Sequence, residues 1–321
     1  MTRGALAAAG FVRHEEGGMV WWVSPGPDGT PGTGRCCHPE AQEFSDEGQS
    51  MAPKDPLRPG EQRSTRRGSF AAASCVDGEV PAAQDDSKHR SPECDLRAST
   101  YVLLHGANDH AGTWFTVAPA LARRARVILP DLPGHGKSEP RTGPIPISLI
   151  LTRLETLLAK EREFTLLGNS LGGWLALLYT LKHPRQIKQL VLEASGGLNR
   201  PLASPLVART RDEALQILRA VHGPKYVPPE WVVDALLQRA GDSPMLRLTE
   251  VLEHDIEPRL GEIDVPATLI WGADDGVIPL SYAEALQQAI PGSRLEVIEG
   301  AGHIPHMQQP ESFLACLTAI S

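Results

Sequence analysis

From Thr100 onward the chain alternates between short apolar runs and stretches of helix length. The runs fall at 101–104, 127–129, 164–167, 190–192, 268–271 and 295–298. The first four are continuous rather than alternating, the pattern of strands covered on both faces. Helix-length stretches lie between and after them, at about 114–124, 148–160, 171–183, 281–290 and 309–320. This rhythm dictates an open, mostly parallel α/β sheet, with right-handed crossovers placing helices on both faces.

One interval breaks the rhythm. About 70 residues separate the runs near 190 and 268, and Pro224, Pro228, Pro229 and Pro244 punctuate them. Apolar residues at three- and four-residue spacing predict helices over 211–220, 230–240 and 244–253. An insertion after a sheet strand sits over the edge where α/β sheets bind ligands, so 196–260 is expected to be a helical cap. Trp231 and Leu237 are the side chains expected to line a substrate pocket beneath it. The alternative is a set of extra helices packed on the side.

The sharpest motif is Gly168-Asn169-Ser170-Leu171-Gly172, lying between a predicted strand and a predicted helix. It matches G-x-S-x-G, in which a serine sits on a strained turn at the sheet's edge. Serine needs a base, and the chain order for such a site is Ser, acid, His. His303 follows the last run within Gly300-Ala301-Gly302-His303, and His306 lies just beyond. Three acids compete to orient the imidazole: Asp274 and Asp275 after the run at 268–271, and Glu193 after the run at 190–192. The backbone N–H of Leu171 is one expected oxyanion donor, and the loop at His105-Gly106-Ala107 supplies the other. Gly134 and Gly136 in D-L-P-G-H-G-K-S are spaced wrongly for a phosphate loop and read as a structural turn. No dinucleotide fingerprint or metal-ligand spacing is visible, so no cofactor and no metal is expected.

Residues 1–95 have another character. Leu, Val and Phe make 10 of these 95 positions, Ile is absent, and Gly plus Pro make 21. That is below the apolar content at which chains collapse, so 1–95 is expected to be a disordered extension before a domain at 96–321. Residues 73–78 are a faint echo of a first hairpin, and Trp21-Trp22 reads as a chance apolar cluster. The formal net charge of −8 argues against nucleic acid as partner, and no apolar run reaches membrane-spanning length. Four of the five cysteines precede residue 95, which fits a reducing, cytoplasmic setting, with secretion the alternative through the short apolar run Leu6–Val12 behind Arg3.

Taken together, H-G, D-L-P-G-H-G-K-S, G-N-S-L-G-G, W-G-A-D-D and G-A-G-H, in this order, resemble the α/β-hydrolase superfamily. Within it, 164–260 looks most like bacterial lipases and esterases related to monoacylglycerol lipases. The resemblance implies that the acid is the fifth residue of W-G-x-x-D, Asp275, and that the donor after H-G is Ala107. It implies a Ser170–Asp275–His303 triad cleaving a small-molecule ester with an apolar acyl group through an acyl-enzyme. Carbon–carbon bond hydrolysis or another acyl transfer on the same triad is the alternative, with Arg209, Arg211 and Arg219 available for a carboxylated substrate. A binding protein on the same scaffold would be expected to lack a triad member. The sequence leaves the oligomeric state open. It also leaves open whether the antiparallel opening strands that members normally carry are present, since only the echo at 73–78 is visible.

Overall fold

The computed structural model describes residues 2–25 and 99–318. Helix α1 (Thr2–Ala8) precedes strands β1 (Val12–Glu16) and β2 (Met19–Val23). Then follow β3 (Thr100–Leu104), α2 (Ala118–Ala122), β4 (Arg126–Asp131), β5 (Ile145–Pro146), α3 (Ile147–Leu158), β6 (Phe164–Asn169), α4 (Leu171–Lys182) and β7 (Ile187–Glu193). The rest comprises α5 (Arg211–His222), α6 (Glu230–Arg239), β8 (Leu248–Thr249), β9 (Ala267–Gly272), α7 (Leu280–Ala289), β10 (Arg294–Ile298), α8 (Pro305–Gln308) and α9 (Pro310–Thr318).

Among the described residues eight strands form one sheet in the order β1-β2-β4-β3-β6-β7-β9-β10. From β4 to β10 every pairing is parallel, and only β1–β2 and β2–β4 are antiparallel. Alternate side chains of a strand point to opposite faces, and the core divides accordingly. Leu103, Val127, Leu129, Leu167, Val191 and Ile270 pack with α1, α2 and α9 residues such as Leu6, Leu121 and Phe313. Their neighbours Val102, Leu104, Ile128, Leu166, Leu190 and Leu269 pack with α3, α4 and α7. Helix α3 shows how sequence builds that second layer: Ile147, Ile150, Leu154 and Leu158 recur at helical spacing and all are buried.

The N-terminus corrects one expectation. Residues 2–25 belong to the folded domain, not to an extension. Gly17 and Gly18, with φ of 54° and 77°, make the two-residue turn that joins β1 to β2. Trp22 is no chance cluster: it pairs with Leu129 of β4, and Met19, Val20 and Val23 are buried beside it. These are the antiparallel opening strands. Their signal, Gly-Gly followed by the apolar run Met19–Val23, was diluted by averaging composition over 95 residues. The hairpin echo at 73–78 lies outside the described residues.

The insertion between β7 and β9 holds two helices, α5 and α6, rather than three. Thr210 caps α5 in a reciprocal capping box with Glu213. The third expected helix, 244–253, is replaced by 3-10 turns around β8. There Leu248 pairs with Ile145, Arg247 donates to Gly143 O and Pro140 O at 2.7 Å each, and Glu250 takes a φ of 65°. Tertiary bonds and the left-handed residue together outweigh helical spacing.

Candidate active site

Ser170 stands between β6 and α4 with φ 53° and ψ −113°, a strained conformation for a residue with a side chain. The flanking glycines are dictated by space. A Cβ at Gly168 would lie 2.2 Å from Gly172 O, and one at Gly172 would lie 2.3 Å from Leu104 O. The Ser170 N–H donates to Glu193 O at 2.9 Å, fixing the turn to the adjacent strand.

The loops after β9 and β10 bring Asp275 and His303 together. His303 Nδ1 lies 2.9 Å from Asp275 Oδ2. Asp275 Oδ1 accepts the N–H groups of Val277 and Ile278 at 2.8 and 2.9 Å. Since a carboxylate only accepts, Nδ1 is the donor in this bond. Asn169, the residue before the serine, donates its side-chain N–H to His303 O at 3.1 Å, so the imidazole loop is tied to the turn. Helix α5 holds both loops from above: Gly276 N–H donates to Ala220 O at 2.9 Å and His303 N–H to Val221 O at 2.8 Å. The next residue, His222, packs at a tilt against Tyr226, ring centroids 4.3 Å apart, and burial pushes its imidazole below the usual histidine range.

The other two acids are placed elsewhere. Asp274 is exposed, and its backbone N–H donates to Ala301 O at 2.8 Å. Glu193 is fully buried and belongs to His306: its carboxylate accepts His306 N–H at 2.8 Å and meets Nδ1 at 2.8 and 2.9 Å. His306 Nε2 lies 3.0 Å from Thr113 Oγ1, and its ring packs 4.2 Å from Trp114. Sequence reasoning missed this second pair and the Asn169 tie; neither follows a spacing that could have marked it.

Ala107, Ser170 and Leu171 line one cavity of about 390 Å³. Its walls are mainly apolar, built by Leu198, Leu206, Met245, Leu248 and Ile256. Trp231 and Leu237 are not among the lining residues. Trp231 is 69% exposed, and Leu237 packs in the small cluster between α5 and α6. The α6 stripe is used to hold α5, while irregular segments on either side of the two helices contribute walls alongside Leu171 and Trp174 of α4 and Tyr282 of α7. Nor do Arg209, Arg211 and Arg219 reach the cavity; Arg211 pairs with Glu230 and Asp234, and the cavity arginine is Arg200. His105 is structural: its Nε2 accepts Leu132 N–H at 2.9 Å and its Nδ1 meets Gly106 O at 2.8 Å. In the D-L-P-G-H-G-K-S turn, Asp131 accepts the N–H groups of Ala111 and Lys137 at 2.8 and 2.7 Å.

The sequence profile described as "Alpha/beta hydrolase family" matches residues 101–315, and the chain belongs to that family. A monoacylglycerol lipase of Xenopus laevis is 26% identical over 250 residues, 68% of this chain and 74% of that one. A 2-hydroxy-6-oxononadienedioate/2-hydroxy-6-oxononatrienedioate hydrolase of Cupriavidus pinatubonensis is 28% identical over 244 residues, 67% and 84% of the two chains. Among solved structures, a bacterial membrane phospholipase A superposes with a TM-score of 0.64 at 19% identity, covering 99% of this chain and 89% of that one, a likeness of fold. The chain is a hydrolase of this family. Among the described residues no helix is long and apolar enough to cross a membrane.

Proposed function

We propose that this protein hydrolyses carboxylic esters with an apolar acyl group, through an acyl-enzyme on Ser170, beneath a cap formed by 196–260. The carrying observation is the Nδ1–carboxylate bond of 2.9 Å between His303 and Asp275, on a loop tied through Asn169 to the Ser170 turn. His303 Nε2 takes the Ser170 proton as Oγ attacks the ester carbonyl, and Asp275 stabilises the imidazolium. The N–H groups of Ala107 and Leu171 receive the oxyanion. Collapse expels the alkoxide, which takes the proton from Nε2. Water, deprotonated by the same nitrogen, then releases the carboxylic acid and regenerates Ser170.

The apolar walls support the acyl preference, since ligand sites are mostly apolar with few polar anchors. Arg200 in the wall favours one second reading, carbon–carbon hydrolysis of a carboxylated substrate on the same triad. The sparse cysteines beyond residue 95 support a cytoplasmic setting. The test is turnover of p-nitrophenyl esters of graded chain length by the protein and by Ser170→Ala. Turnover by the first and none by the second is expected. Equal turnover by both would sink the serine mechanism.

A further inference from the structure

Asn108 follows Ala107 directly and has a φ of 60°, in the left-handed region that Asn tolerates better than most residues. Among the described residues its side chain makes three bonds, all to the insertion. Nδ2 donates to Leu206 O at 3.1 Å. Oδ1 accepts the Ser243 hydroxyl at 2.5 Å and the Met245 N–H at 3.4 Å. Leu206 lies before α5, while Ser243 and Met245 lie after α6. One side chain therefore fastens the chain entering the α5–α6 pair, the chain leaving it, and the loop after β3. Leu206 and Met245 are also walls of the 390 Å³ cavity that Ala107 and Ser170 line.

We infer that Asn108 is a positioning residue that couples filling of the cavity to placement of the Ala107 N–H, and so helps determine chain-length specificity. The inference rests on the proposed ester hydrolysis. A long acyl chain presses on Leu206 and Met245, and Asn108 holds these walls at a fixed offset from the oxyanion donor. A short acyl chain touches neither wall and gains nothing from the tie. Because rate depends steeply on donor placement, the coupling acts on kcat for long esters rather than on binding of all esters alike.

The experiment compares Asn108→Gly, which keeps the φ of 60° while removing all three bonds, with Asn108→Asp, which keeps the two accepted bonds and loses the donor to Leu206. The kinetic constants kcat and KM are measured on p-nitrophenyl acetate, butyrate and octanoate. For Asn108→Gly we expect kcat on octanoate to fall about tenfold and on acetate less than threefold, with KM changing little on either. Asn108→Asp should fall between this variant and the unaltered protein. Ser243→Ala removes one bond from the opposite end and should give a smaller loss of the same pattern, which serves if the glycine variant does not fold. An equal kcat loss at every chain length, or a change confined to KM, would overturn the coupling. Ser170→Ala, run alongside, separates the two failures. Survival of its activity removes the serine mechanism and the coupling with it. An inactive Ser170→Ala beside a chain-length-independent Asn108→Gly removes the coupling alone.

Discussion

Two imidazoles three residues apart are each held through Nδ1 by a carboxylate, yet their surroundings differ. His306 is 0% exposed: Glu193 grips both its backbone and its Nδ1, Thr113 faces its Nε2, and Trp114 covers its ring. His303 keeps 7% exposure on a loop tied to the Ser170 turn. An acid–imidazole pair can move a proton for a substrate only if its far nitrogen is left accessible. A sealed pair is a cross-brace, here joining the end of β7 to α8 and the turn at Ala111–Thr116. The difference shown is one of exposure and of Thr113 at the His306 Nε2, not of the pair itself.

The largest expected effects break this comparison directly. Asp275→Asn should lower kcat by about 10³–10⁴, because an amide cannot hold the imidazole in the needed tautomer or stabilise its cation. Steady-state turnover of a p-nitrophenyl ester, with circular dichroism to verify folding, measures it. Glu193→Gln should give the opposite signature. An amide oxygen can serve only part of what the carboxylate accepts from His306, so the cost is in stability, about 2–4 kcal/mol. Urea unfolding should detect it, while kcat per folded molecule stays within about tenfold, well short of a triad loss. A Glu193→Gln protein of unaltered stability but crippled kcat would reverse the roles of the two pairs.

How much of this was legible in the sequence follows from the range of the forces involved. Buried parallel strands need unbroken apolar runs, so β3, β4, β6 and β7 could be read directly. The serine turn was legible because its glycines meet hard backbone limits, Gly168 against Gly172 O above all. Asp275, Asp274 and Glu193 were indistinguishable until the motif resemblance favoured Asp275, since their pairing depends on contacts across 28 and 113 residues of chain. The cavity walls escaped for the same reason. Periodicity marked α5 and α6 as amphipathic but could not say that each uses its stripe on the other. The opening hairpin was legible locally, at Gly17-Gly18, and was lost in an average.

A smaller effect sharpens the contrast between regular and irregular parts of the insertion. Met245 lines the cavity from a 3-10 turn, whereas Trp231 lies 69% exposed on α6. A buried methylene contributes about 0.8 kcal/mol, which is about fourfold in kcat/KM per added carbon while the pocket fills. Met245→Asp should therefore flatten the rise from acetate to octanoate by several fold. Trp231→Asp should leave the profile within about twofold, as for a surface change without a partner. If the Trp231 variant alters the profile more, α6 faces the substrate in solution.

The smallest expected effect is the most exacting for the acid assignment. Asp274 is adjacent to Asp275 in sequence and equal to it in chemistry, but its side chain is exposed where that of Asp275 is buried. The loop's geometry does not depend on that side chain, since the Asp274 N–H donates to Ala301 O and the Asp275 carboxylate gathers the N–H groups of Val277 and Ile278. Asp274→Asn removes one exposed charge next to Asp275 in sequence, and at that exposure solvent screens most of its field. Turnover of p-nitrophenyl butyrate should stay within about twofold of the unaltered protein, and stability within about 0.5 kcal/mol. A loss beyond tenfold in kcat would mean that Asp274 rather than Asp275 orients His303 during the reaction, with the loop changing its conformation when substrate binds.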